Sequence, residues 1–206
     1  MFSAERGEHI VDKAIDIIGG AKSAVFVSAP FGVDHRILSA IEASDRDVVK
    51  YGLANATAQS RVKALNGWYT RFFWPAKMET FTEERWDAKA FGAHKIHTKS
   101  IIVDPWSDNP VVMMGSANFS EASSKDNDEN TLVIAGDHRL TAILTTEFMR
   151  MYDHYKSRFY AKEFAERGVP PAFDPLEPDS SWSDTYFRRH RNSHKFRDRE
   201  VFAGGS

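Results

Sequence analysis

Three short apolar runs alternate with helix-sized amphipathic stretches through the first third of this 206-residue chain. Ala24–Ser28 reads AVFVS and stops just short of Pro30, Val48–Ala54 reads VVKYGLA, and Thr70–Trp74 reads TRFFW and ends at Pro75. Runs this short, rich in β-branched and aromatic residues and bounded by proline, are strands. Asp34 stands where it can cap a helix carrying Ile37, Leu38 and Ile41, and the spacing from Thr57 to Leu65 predicts another helix. Ahead of all three lies a helix over residues 4–18, with Ile10, Val11, Ala14, Ile15 and Ile18 on one face and Gly19-Gly20 as its stop. Strands separated by helices leave one class open, an α/β layer fold. Its sheet is expected to be mixed, largely parallel, and sandwiched by helices.

Further along, the pattern is poor from Ala76 to Ala93, where Glu83, Glu84, Arg85, Trp86 and Asp87 suggest a solvated rim or lid. Strands over 98–103 and 111–114 flank DPWSDNP, whose prolines and Asp-Asn signal a hairpin tip. A helix is expected over 118–124, a strand at Thr131–Ala135 (TLVIA), and one long helix from Leu140 to about Phe164. In that helix Phe148, Tyr152, Tyr155 and Phe159 recur at three and four, the mark of a packing face. These elements make one domain over residues 1–166. Residues 167–206 begin rich in proline and acid and then turn basic (RRHRNSHKFRDR), which predicts an extended tail. That tail is either a nucleic-acid arm or a solvated segment packing on a partner through Trp182, Tyr186 and Phe187.

The chemistry concentrates between His97 and Asn130. His97 and Lys99 share a strand face, since side chains alternate. Asp104 ends the apolar run that follows them. Gly115 permits close backbone approach to a ligand, while Ser116 and Asn118 add neutral donors. A base or nucleophile, a cation and neutral donors form a site for one small anion. A surface histidine and lysine placed by chance would not bring these other residues with them. Trp86 and Trp106 are candidates to line the cleft; the other tryptophans read as packing residues.

The stretch resembles the HKD signature of the phospholipase D superfamily: His-x-Lys, four residues, Asp, then Gly-Ser-x-Asn. His97, Lys99, Asp104, Gly115, Ser116 and Asn118 match in type. The gap from Asp104 to Gly115 is longer than the family pattern, and the excess falls in the hairpin tip, where insertions are tolerated. Glu129 stands where family members carry a glutamate that orients the active histidine. The resemblance implies a phospholipase D-like fold and a phosphodiesterase that works without metal or cofactor. One histidine attacks phosphorus to give a phosphohistidine, and a second protonates the leaving oxygen and then activates water. Lys99, Ser116, Asn118 and Gly115 would bind the phosphate, with Glu129 orienting an imidazole and Asp104 giving supporting hydrogen bonds.

This chain carries one complete motif, and the chemistry needs two. A homodimer places the same residue from both copies at its axis, and a second HKD-bearing domain of a longer protein would serve equally. The expected substrate is DNA or RNA. A phospholipid hydrolase or phosphatidyl transferase, and a non-catalytic nucleic-acid-binding or assembly module, are the alternatives.

Composition narrows the field further. A formal net charge of −2 gives no whole-molecule field that attracts nucleic acid, so any such contact must be local. The absence of cysteine excludes disulfides and thiolate catalysis. His94 lies three before His97, facing away on a strand, and no third ligand completes a zinc site. Neither a signal-peptide core nor a membrane-length apolar window occurs, so a cytoplasmic location without stable membrane insertion is expected.

Overall fold

The computed structural model describes residues 9–55, 70–73, 96–120, 123, 125, 128–168, 178–188 and 194–204. Its elements run α1 (His9–Gly19), β1 (Ala24–Ser28), α2 (His35–Ala43), β2 (Val49–Leu53), β3 (Thr70–Phe73), β4 (Ser100–Val103), β5 (Val111–Gly115), β6 (Thr131–Ala135) and α3 (His138–Glu166). A 3-10 turn (Ser181–Ser183), α4 (Asp184–Phe187) and α5 (Lys195–Phe202) follow. The expected helix over Thr57–Leu65 and the stretch Ala76–Ala93 lie outside the described residues.

The strands form one sheet in the order β3-β2-β1-β4-β5-β6. β1, β2 and β3 are parallel, whereas β4 runs against β1 and β5 and β6 continue antiparallel. The sheet is mixed, as expected, but only its first half is parallel. The cause is local: β4 and β5 join through the short DPWSDNP hairpin, which permits only antiparallel pairing.

Alternation along β1 splits the core in two. Val25 and Val27 face α1 and α2, where Ile10, Val11, Ile18, Ile37 and Ile41 are buried with Ile101, Val103 and Met113. Ala24 and Phe26 face the other side, where Tyr51, Leu53, Phe73, Ile102 and Val112 pack with Phe148 and Tyr152 of α3. A central strand covered on both faces favours apolar residues, which is why AVFV is apolar and why the buried Ser28 that follows is hydrogen-bonded to Thr98 O. Helix starts follow capping chemistry. Asp34 accepts from Arg36 N at the head of α2, and Asp137 accepts from Leu140 N at the head of α3.

The chain's last described residues depart from the expected extended tail. Residues 195–202 are helical and close over the second core. Val201 is buried, and the Phe202 ring packs 4.8 Å from Trp106, 6.1 Å from Tyr51 and 6.2 Å from Phe26. Arg197 Nε donates to Asp47 O at 2.8 Å, and Arg199 Nε donates to Tyr186 O at 2.6 Å, with its guanidinium over the Phe187 ring. Trp182 and Phe187 remain exposed, so Val201 and Phe202 anchor the segment. Burial of the Val201 side chain stabilises by roughly 2 kcal/mol, and Phe202, 37% exposed, adds the part of its ring that lies on the core.

Candidate active site

The antiparallel β4 begins where the parallel β1 and β2 end. Residues leading into β4 therefore lie at the carboxyl ends of the parallel strands, beside the point where the sheet changes direction, the usual place for a ligand in an α/β sheet. Two polar side chains hold this entry. Asn55, buried at the end of β2, donates from Nδ2 to Ile96 O at 3.0 Å and accepts from Ile96 N at 2.9 Å. Ser28, at the end of β1, donates from Oγ to Thr98 O at 2.8 Å. The backbone on both sides of His97 is thus fixed, while the His97 side chain itself is exposed.

Lys99 folds back against His97. Its Nζ donates to His97 O at 2.8 Å and lies 3.3 Å from Nδ1 and 3.4 Å from Nε2 of the ring. The lysine is buried, and desolvation pushes its ammonium below the ordinary lysine range; the Glu129 charge opposes that shift. A cation held out of water beside an exposed imidazole favours an anion at that point.

The Gly-Ser-x-Asn turn arrives by pairing. Gly115 N donates to Lys99 O, and Gly115 sits opposite Thr131 of β6. Gly115 is required here by the protein itself: a Cβ on it would fall 2.1 Å from Asn130 O. Its lack of a side chain admits the neighbouring backbone. Ser116 does something other than expected. Its Oγ accepts from Asn130 N at 3.0 Å and donates to Glu129 Oε2 in a short bond. Ser123 Oγ donates to Glu129 Oε1 at 2.9 Å and accepts from Asn118 N at 3.0 Å. The hydroxyl hydrogen of Ser116 is therefore committed to the carboxylate. The Asn118 Oδ1 is buried with no hydrogen-bond partner.

Two expected site residues lie elsewhere. Asp104 is at the far end of β4, in a left-handed backbone conformation (φ 48) that aspartate tolerates better than most residues. Its buried carboxylate accepts from Ser23 N at 2.7 Å, Ser23 Oγ at 2.9 Å, Ala24 N at 2.9 Å and Lys22 N at 2.9 Å. It ties the hairpin to the entry of β1 and is not part of the catalytic group. Trp106 follows it at that same end, edge-on to Phe26 and against Phe202, so it packs the core and does not line the cleft. Trp86 lies outside the described residues.

One further His-x-Lys triplet, His154-Tyr155-Lys156, is part of α3. It is followed by neither the aspartate nor Gly-Ser-x-Asn, and Lys156 rests over the Tyr152 ring.

Asn55, Ser28, Ser123 and Phe31 complete the surroundings of the motif, and the linear pattern singles out none of them. A polar residue directly after the apolar run of β2 was the only signal for Asn55.

A family model described as "Cardiolipin synthase, PLD-like domain" matches residues 14–152, well over half of the chain. This chain belongs to that phospholipase D-like family. The matched segment carries every residue of the motif and ends within α3. Two solved structures share the fold. NucT from Helicobacter pylori is 16% identical, with a TM-score of 0.57 over 74% of this chain and 93% of its own. Nuc from Salmonella typhimurium, a phospholipase D family member, is 20% identical, with a TM-score of 0.53 over 74% of this chain and 91% of its own. A search of curated proteins found no match. Among the described residues, no helix of this phospholipase D-like protein is long and apolar enough to cross a membrane.

Proposed function

We propose that this chain is a metal-independent phosphodiesterase acting on nucleic acid, and that its active site is completed by a second copy. The observation that carries the reading is the buried Lys99 ammonium set against the exposed His97 ring, at the carboxyl ends of the parallel strands. In the first step a ring nitrogen of His97 attacks phosphorus and the bond to the leaving oxygen breaks. That oxygen takes a proton from His97 of the second copy. In the second step the same imidazole removes a proton from water, the resulting hydroxide attacks phosphorus, and the P–N bond breaks to restore His97. Lys99 and the Asn118 amide stabilise the charge on the non-bridging oxygens. Glu129, held by Ser116 and Ser123, keeps the Lys99 ammonium charged and orients an imidazole.

The test is cleavage of single- and double-stranded oligonucleotides in excess EDTA, together with acid trapping of a phosphohistidine. Activity that vanishes with the chelator, or that survives His97→Ala, rules the mechanism out. Sizing of the active species tests the second copy: full activity in a strict monomer refutes it.

The description of the matched family favours a second reading, phosphatidyl transfer, in which an alcohol takes the place of water. Release of headgroup from phosphatidylglycerol, with oligonucleotides left intact, would select it.

A further inference from the structure

The loop after β1, residues 29–34, stands against the His97–Lys99 pair and has no part in the steps above. It is pinned along its length. Ala29 N donates to Leu53 O at 2.9 Å, Asn55 N to Pro30 O at 3.2 Å, and Asp34 N to Phe119 O at 2.6 Å. The buried Asp34 carboxylate is held in turn by Arg36, whose hydrogen bonds keep it below the usual carboxylate range. Between the pins, Gly32 has φ 149, a conformation that side chains resist.

On this fixed arch Phe31 is 42% exposed. Its ring meets the His97 ring at 69° with centroids 5.5 Å apart, and Lys99 Nζ lies 5.4 Å from its centroid. A single exposed phenylalanine needs no explanation in general. Here the loop is pinned on both sides, and the one buried cation of the motif lies over one face of the ring, which leaves the other face for a ligand. A nucleotide has the same arrangement, an anion and a flat base joined across one sugar.

We infer that Phe31 is a stacking platform for the base next to the scissile phosphate, so the site takes single-stranded nucleic acid. The inference rests on the nucleic-acid reading above. A paired base within a duplex has both faces covered by its neighbours, and only an unstacked base can offer one to Phe31. Stacking on an aromatic ring tolerates any base, because every base has a π face. The phosphate held at Lys99 fixes which nucleotide is presented.

The experiment compares an oligodeoxythymidylate single strand with an abasic strand of the same length, by fluorescence anisotropy with the full chain. Binding is measured in a His97→Ala background, so that it requires no turnover. The base-bearing strand is expected to bind roughly tenfold more tightly than the abasic one, the typical worth of one stacked base. Phe31→Ala and Phe31→Leu, the latter keeping apolar bulk but no π face, should collapse that ratio towards one, and Phe31→Trp should preserve it. The inference is overturned if either variant weakens both strands equally, since Phe31 would then only prop Lys99. It is overturned equally by an unchanged ratio or by dissociation of a dimer into monomers. A loss confined to phosphatidylglycerol vesicles would also overturn it. A Phe31-dependent ratio without any cleavage by the unsubstituted protein would sink the hydrolase reading and leave the platform standing.

Discussion

Asp104 is part of the sequence motif, yet it stands one strand-length from the histidine, and that separation can be tested. Its Oδ1 takes three hydrogen bonds, from Ser23 N, Ser23 Oγ and Ala24 N, and its Oδ2 takes one from Lys22 N. Asp104→Ala strands three backbone N–H groups, each costing about 1–3 kcal/mol when it goes unpaired. A left-handed backbone at the new alanine adds about 1 kcal/mol. Relaxation and water recover part of this, so a net loss of about 4 kcal/mol is expected, a large share of a typical total of about 5–15 kcal/mol. For a chain of this length that is a fall in Tm of roughly 8–16 °C. Asp104→Asn keeps an oxygen in the Oδ1 position and tolerates the backbone, so it loses the charge and the Lys22 bond alone, about 1–3 kcal/mol. Five residues of extended chain separate Lys99 from Asp104, about 16 Å at strand rise. Well below its Tm, Asp104→Asn should therefore keep kcat within about twofold, a change of under 0.5 kcal/mol in the barrier. Thermal unfolding by circular dichroism, paired with oligonucleotide cleavage at 20 °C below each Tm, reads both quantities. A variant with unchanged Tm and abolished kcat would refute the structural assignment.

Two further predictions concern the site itself. Gly115→Ala should lower stability by about 1–3 kcal/mol through overpacking against Asn130 O and should also cut activity, because the displaced segment carries Ser116 and Glu129; chemical denaturation and cleavage rates read the two effects. The alkaline limb of kcat/KM should fall below the ordinary lysine value of 10.5, since a buried Lys99 loses its proton more readily and the phosphate then loses its cation. Glu129→Gln removes the charge that opposes this shift, so the limb should move to still lower pH; a limb that moves upward or stays fixed would contradict the pairing. The same sign applies to stability. A lysine with a depressed folded pKa costs most at low pH, and the cost is relieved as pH rises through its folded value towards 10.5.

The strands could be read from sequence because both faces of the central sheet are covered, which forces AVFVS and SIIV to be apolar but for Ser28 and Ser100 at the site end. The long helix could be read because Phe148 and Tyr152 recur on one face. Strand direction was harder: an apolar run looks the same in either orientation, and only the short DPWSDNP connection implied that β4 and β5 are antiparallel. The motif gave the identity of the central residues without their division of labour. Gly115 and Ser116 turn towards Asn130 and Glu129, contacts whose partners lie thirteen to fifteen residues away in the chain. Asn55, Ser28 and Phe31 come from other strand ends, and nothing in the linear spacing ties them to His97. The last helix was illegible for a different reason: its basic residues dominate the composition, while Val201 and Phe202 are the two that pack.

That last helix has a consequence for how the molecule forms. Arg197 reaches Asp47 across 150 residues of sequence, and Phe202 lies on Phe26 and Tyr51. Closing so long a loop is entropically costly, and folds dominated by such contacts form slowly. During synthesis the aromatic face of β1 and β2 therefore leaves the ribosome long before its cover does. α3 covers part of that face first, through Phe148 and Tyr152; until α5 docks the remainder stays exposed, and the interval is when chaperones or aggregation compete for it.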